Sequence, residues 1–466
     1  MLGSFIRRTI PLSATLSALI ALPVLAQRAD LEKVIQRRVL PNGLEVIVVE
    51  NHGVPLATVE IDVRNGSFTQ TPEYAGLAHM YEHMFFKANR AYPEPDEFIG
   101  RLAQIGAVFN GTTSEERVNY YMTVTADRLG EAIGLLSAAL REPLFRQDEL
   151  ERERVVVLGE YDRNESNPGF RLSQAVDARL WTDAGSRKNT IGDREIIRTT
   201  TPDKMREIQR RYYVPNNSTL IVTGDVKPND VFAFADRHLG SWERGPDPFA
   251  ANPIPPIKPL TKNQGVIVEE SVGAVLVLMQ WHGPSVGADP NATYAADVFS
   301  DLVNQPGSGF HRRLIDSGLF QSVAINYYTL NHVGPISIIG QTTPQMMRRA
   351  MAALEAEISR FSDPDYFSRA ELEAVKTQRI VSSEFGRERA SSFAQTIGFW
   401  WSVASLEYYM GYVDNMASQT AADLKAYADR YIVGKPRVTG VLLSPQDRRA
   451  LGLTETQLLG PRAITP

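Results

Sequence analysis

His79, Glu82 and His83 carry the most specific chemistry in this chain, within the run Leu77-Ala78-His79-Met80-Tyr81-Glu82-His83-Met84-Phe85. Two histidines four apart on a helix lie on one face, about one turn from each other, so both imidazoles can reach a single metal ion. Glu82, three residues after His79, can take a proton from an attacking water without filling a coordination position. Two neutral nitrogen ligands and one nearby carboxylate are what metal-assisted hydrolysis needs. The order is the inverse of the commoner His-Glu-x-x-His. The chain has seven histidines, so a chance match is on the order of one in a hundred.

A catalytic zinc typically has three protein ligands. His238, His282, His311 and His332 are isolated along the sequence, which points to a carboxylate as the third. The richest acidic helix runs from Gln147 to Glu160, and its Glu153 and Glu160 are seven apart, on a shared face. The apolar run Val155 to Leu158 predicts that this part of the helix enters the core, where a carboxylate needs a partner such as a metal. The same acids read equally well as salt-bridge partners of Arg152 and Arg154 on an exposed helix, and local pattern leaves both readings open.

The elements that must position these groups are legible as strand and helix signals. Arg38 to Val49 reads as two strands around a Pro41-Asn42-Gly43 turn. Ala57 to Val63 alternates like a half-buried strand, and the motif helix is expected to begin near Thr71-Pro72-Glu73. The proline-rich stretch from Pro246 to Pro259 predicts an extended linker without helix. It divides the chain into related halves. Thr201 to Val214 matches Thr420 to Val433 at a constant offset, and Val59–Val63 corresponds to Val277–Trp281. The expected fold class is therefore α+β: two homologous α/β-sandwich-like halves, with mostly antiparallel sheets covered by helices. The expected division is a leader at 1–26, a metal-binding domain at 27–245, a linker at 246–262 and a homologous inactive domain at 263–450.

At 466 residues, 43% hydrophobic and 22% charged, the composition is that of an ordinary globular protein, and the net charge of −5 gives no reason to expect nucleic acid. Arg7-Arg8, the apolar run Ile10 to Leu25 and the small residues before Gln27 read as a cleavable export signal. The expectation is an exported protein, in a bacterial periplasm, without stable membrane insertion. The chain has no cysteine, so it must rely on core packing, and any metal must be held by histidine and carboxylate.

Three runs resemble the M16 (pitrilysin-like, inverzincin) zinc peptidases in order and separation: Gly76 to Lys87, Gly106 to Thr113 and Glu151 to Glu160. The similarity spans nearly the whole chain past the leader, and its size is similar to the two-domain branch that includes the mitochondrial processing peptidase. The resemblance implies one zinc per chain on His79, His83 and Glu160, with Glu82 as general base. It implies for Glu153 a role in orienting a ligand at the catalytic centre. It also implies an edge strand at Phe109 to Thr112, with Asn110 binding a peptide that adds as an extra strand. The competing local reading of Asn110-Gly111 is a turn.

One departure matters. The family grips substrate with an Arg and a Tyr from a C-terminal domain, and here the matching positions hold Ile315 and Gln321. Neither replaces a charged fork or a phenol; Arg312, Arg313 and Tyr327 lie nearby but out of register. The expectation is a zinc endopeptidase for short or unstructured peptides whose homologous partner subunit supplies the Arg/Tyr pair, a heterodimer in preference to a homodimer. The alternative is a non-catalytic scaffold or peptide-holding subunit of the same family. Phe399-Trp400-Trp401 with Tyr408, Tyr409 and Tyr412 reads as core and chamber wall, with a partner interface as the other reading.

Overall fold

Two sheets with one repeated connectivity organise the chain in a computed structural model that describes residues 26–94 and 96–460. Most of the expected leader, residues 1–25, lies outside the described residues. The first sheet contains β1 (Ile35–Val39), β2 (Glu45–Glu50), β3 (Leu56–Val63), β4 (Val108–Thr113), β5 (Val118–Thr125) and β6 (Ser218–Gly224), in the order β1-β2-β6-β3-β5-β4. The second contains β7 (Gln264–Glu269), β8 (Val275–His282), β9 (Ser322–Tyr327), β10 (Pro335–Thr342) and β11 (Val438–Leu443), in the order β7-β11-β8-β10-β9. The pairing β2-β6-β3-β5-β4 recurs strand for strand as β7-β11-β8-β10-β9. In each sheet a single parallel pair, β2 with β6 and β7 with β11, sits among antiparallel neighbours. This is the duplicated α+β architecture that the sequence predicts.

The halves are not packed as separate units. The helix Pro168–Leu180 of the first half lies on β7, β8 and β11, burying Leu172, Val176 and Leu180 against Val266, Leu278 and Leu442. Its counterpart Ala390–Val403, from the second half, lies on β3 and β6. The linker at 246–262 thus separates the two sheets in sequence while each half lends a helix to the other's core. That linker also holds one helical turn, Pro248–Ala251, which the proline content argues against. Proline is tolerated at the first helical position, and the Asp247 carboxylate caps the turn by accepting from the Phe249 and Ala250 N–H groups. The second half continues past 450, since the turn Glu455–Leu458 packs on β7.

The exchanged helix explains why β3 departs from the half-buried pattern. All residues from Ala57 to Val63 are buried. The apolar face of Ala57, Val59, Ile61 and Val63 joins the first core, while Thr58, Glu60 and Asp62 lie beneath Ala390–Val403. Arg117 pairs with both Glu60 and Asp62, at 2.5 Å to the latter, and Asn119 donates to Glu60 at 2.7 Å. Burial, then the neighbouring Asp62, push Glu60 up to about 8. Gly398 makes the close approach possible, because a methyl there would stand 2.4 Å from an Asp62 oxygen. Trp400 and Trp401 of the same helix are buried, and Trp401 Nε1 donates to Glu45 at 2.8 Å. No helix among the described residues is long and apolar enough to cross a membrane.

Candidate metal centre

The motif helix runs from Leu77 to Phe85, five residues later than the Thr71-Pro72-Glu73 signal suggests. That signal instead makes an isolated turn, Pro72–Tyr74. The helix start is satisfied from a distance: the Gln70 side-chain oxygen accepts the N–H groups of Gly76 and Ala78 at 2.9 and 3.2 Å. Leu77, Ala78, Met80, Tyr81, Met84 and Phe85 are buried in the first core. His79, Glu82 and His83 are thereby turned toward the helix Gln147–Glu165 and the edge strand β4.

The structure brings His79, His83 and Glu160 together, with one donor atom of each within 4.8 Å of the others. Glu160 Oε2 lies 3.5 Å from His79 Nε2 and 3.8 Å from His83 Nε2. Donors about 2.1 Å from a common centre, as around zinc, are roughly 3.4 Å apart in a tetrahedron, so the trio fits a small divalent ion better than direct hydrogen bonding. The rings cross edge to face with centroids 4.8 Å apart. Burial, then the neighbouring His83, push His79 down to about 4, leaving it neutral as a metal ligand must be.

Glu153 braces this group. Its Oε2 lies 3.1 Å from His83 Nδ1 and its Oε1 2.7 Å from Lys87 Nζ. Burial opposes a charge on His83, but the Glu153 contact and the surrounding carboxylates outweigh it and raise its pKa. Burial also opposes ionised Glu153, and its bonds to His83 and Lys87 outweigh it and lower its pKa. His79 Nδ1, in contrast, is buried without a hydrogen-bond partner among the described residues. Glu82 stands on the β4 side, where Thr113 Oγ1 donates to its Oε2 at 2.6 Å. Burial raises the Glu82 pKa against that bond, the direction a general base needs near neutral pH.

The long helix enters the core less than its apolar run suggests. Val157 is fully buried, but Val155 and Val156 are 71% and 47% exposed. Four successive apolar residues wrap around the helix, and it is covered chiefly on the sides toward the motif helix and the helix Arg194–Thr199. The salt-bridge reading of the acids does not hold for Glu153 and Glu160. Arg152 pairs with Asp148 at 3.3 Å and Arg154 donates to the Thr200 carbonyl. Glu149 grips the far end of the motif helix by accepting the Ala88 N–H at 3.1 Å. Asn110 lies in β4, not in a turn, and its side chain accepts the Gly111 N–H at 2.9 Å. β4 is an edge of its sheet.

Sequence reasoning missed Thr113, Gly111, Lys87 and Glu149. Lys87 was within reach of it, being one helical turn beyond His83, whereas Thr113 meets Glu82 only through strand register. Of the residues that surround Ile315 and Gln321, Arg313 is held by Glu357 and Tyr327 donates to the Pro284 carbonyl at 3.1 Å. Arg312 bonds the Gly307 carbonyl, and Gln321 accepts from Gln341 at 2.9 Å. Of the other histidines, His332 meets Glu116 at 2.8 Å and His282 meets the Leu180 carbonyl at 3.0 Å.

Comparison with known proteins points to one family. The Insulinase (Peptidase family M16) profile matches residues 45–194, and the Peptidase M16 inactive domain profile matches residues 199–379. An insulin-degrading enzyme homolog of Dictyostelium discoideum is 28% identical over 200 residues, 43% of this chain but only 21% of that protein. The uncharacterized zinc protease YmxG of Bacillus subtilis is 24% identical over 364 residues, 77% of this chain and 86% of that one. Among solved structures, a protease from Helicobacter pylori has a TM-score of 0.79 at 20% identity, over 88% of this chain and 99% of its own. The periplasmic protease PqqL from Escherichia coli has a TM-score of 0.73 at 18% identity, over 92% of this chain and 49% of its own. Two successive profiles of one family, in order and spanning nearly all of residues 45–379, place this chain in the M16 peptidase family.

Proposed function

We propose that this chain is an exported, zinc-dependent endopeptidase for short or unstructured peptides, working as the metal-bearing subunit beside a homologous chain. The observation that carries the reading is the convergence of His79, His83 and Glu160 on one point, with Glu82 alongside and an open strand edge at β4. His79, His83 and Glu160 would hold one zinc, which when bound polarises the scissile carbonyl and activates water. Glu82 takes the proton of the attacking water and passes it to the leaving amine. Glu153 keeps the His83 ring oriented, with a hydrogen bond to Nδ1 that leaves Nε2 free. An extended peptide adds to β4 through main-chain hydrogen bonds, with Asn110 at the contact, so little side-chain specificity is imposed.

The division of labour between subunits is motivated by Ile315 and Gln321, and by the engagement of Arg313 and Tyr327 within their own half. A periplasmic setting is supported by the Arg7-Arg8 and apolar leader and by likeness to a periplasmic protease. A purely peptide-holding role is disfavoured by an intact donor set. The test is cleavage of a quenched, unstructured peptide by the zinc-loaded chain from Gln27 onward, with and without a homologous subunit, using Glu82→Gln as the blank. Cleavage that falls by roughly 10²- to 10⁴-fold in the variant, with zinc retained, is expected. Equal cleavage by Glu82→Gln contradicts the mechanism.

A further inference from the structure

Glu82 is positioned by a strand as much as by its own helix. Gly111 and Thr113 are two apart on β4, so both side-chain positions face the motif helix, while Asn110 and Thr112 are on the exposed face. The Thr113 hydroxyl occupies Glu82 Oε2 at 2.6 Å. At Gly111 a methyl group would stand 2.9 Å from Glu82 Cγ, 3.1 Å from Oε1 and 3.2 Å from a Phe86 ring carbon. Glycine therefore leaves the space in which the carboxylate lies, and Oε1 is the oxygen left to accept a proton. The same strand lies at the edge of the six-stranded sheet and, among the described residues, pairs on one side only, with β5.

We propose that β4 couples peptide docking to the general base. An extended peptide adding to its open edge fixes the strand, and Thr113 and Gly111 pass that restraint to the Glu82 carboxylate. The inference rests on the peptidase reading above. Thr113 and Gly111 are positioning residues: the water proton goes to Oε1 and then to the leaving amine, and the Thr113 hydroxyl keeps its own proton throughout. A misplaced base loses rate while binding is left intact.

The test compares wild type, Thr113→Val, Thr113→Ser and Gly111→Ala as zinc-loaded proteins, with the homologous subunit present if wild type requires it. Substrates are unstructured peptides of increasing length around one cleavable bond. Wild-type kcat is expected to rise once the peptide is long enough to add as a strand. Thr113→Val is expected to lose about 10- to 100-fold in kcat on long peptides and to flatten that length dependence. KM, zinc affinity and Tm should stay at wild-type values. Thr113→Ser, which keeps the donor, should recover most of the rate, and Gly111→Ala should lose kcat in the same way as Thr113→Val. Peptide affinity measured in the Glu82→Gln background should be unchanged by Thr113→Val. The proposal is overturned if Thr113→Val matches wild type, if Val and Ser are equally impaired, or if the loss lies in KM or zinc affinity. A zinc-loaded wild type that cleaves no peptide under any of these conditions overturns the peptidase reading and this proposal together.

Discussion

The two halves run the chain through one topology, and the helix pair beside the edge strands β4 and β9 shows how they part. In the first half, Leu77–Phe85 faces Gln147–Glu165 and gathers His79, His83 and Glu160. In the second, Pro290–Val303 packs beside Arg369–Glu388. There Asp297 and Asp301 repeat the four-residue spacing of the two histidines. Arg379, from the long helix, pairs with Asp301 at 2.7 Å, and the Tyr412 hydroxyl donates to Asp297 at 2.6 Å. The second half thus closes its helix pair with a cation carried on the chain. The first gathers two histidines and a carboxylate, and Lys87 beside them pairs with Glu153. The difference teaches that one scaffold places acidic or metal-ligating groups between these helices in both halves, but supplies Arg379 from the partner helix only in the second.

The comparison breaks most visibly at the metal. His83→Ala should abolish zinc binding, whereas Asp301→Ala should leave one zinc per chain, measured by metal analysis after dialysis. Loss of zinc in both would mean that the halves are not chemically distinct. Next in size is the ion pair itself. Arg379→Met leaves Asp301 uncompensated beside buried Asp297 and should cost about 1–3 kcal/mol in chemical denaturation, with zinc stoichiometry unchanged. A smaller effect is expected at Glu153: Glu153→Gln should weaken zinc by roughly 10-fold in a chelator competition, because His83 loses a charged partner at Nδ1.

A further effect is confined to a pH window. Burial pushes Asp297 up from 3.8 to about 6. A folded-state pKa above the unfolded one means that the native state binds the extra proton, so this contribution is fully present below about pH 4 and is lost as pH rises through about 6. Asp297→Asn should therefore flatten the decline of stability across that window, a difference of up to about 3 kcal/mol. An unchanged slope would show that Asp297 does not titrate there.

The pairing of His79 with His83 was legible in sequence because a spacing of four residues fixes a shared helix face. Glu153 and Glu160 share a face by their spacing of seven, but local pattern leaves a salt-bridge reading open, and only the family resemblance singles out Glu160. The duplication was legible because β6 and β11 each follow a helix of matching pattern. Contacts set by register between distant segments were not. Thr113 reaches Glu82 across a strand-helix contact, and nothing in Val108–Thr113 marks which face turns inward. The polar face of β3 read as solvent-exposed, since the helix that covers it, Ala390–Val403, comes from the other half. Val155 and Val156 misled for the converse reason: an apolar run on a helix covered along one face leaves part of itself exposed.

The most direct measurement is the position of bound metal, by anomalous diffraction at the zinc edge from crystals of zinc-loaded protein. A single peak between His79, His83 and Glu160, with none beside Asp297 and Asp301, is the predicted result. No peak at the histidines, or a peak in the second half, would contradict the assignment of the metal site to the first.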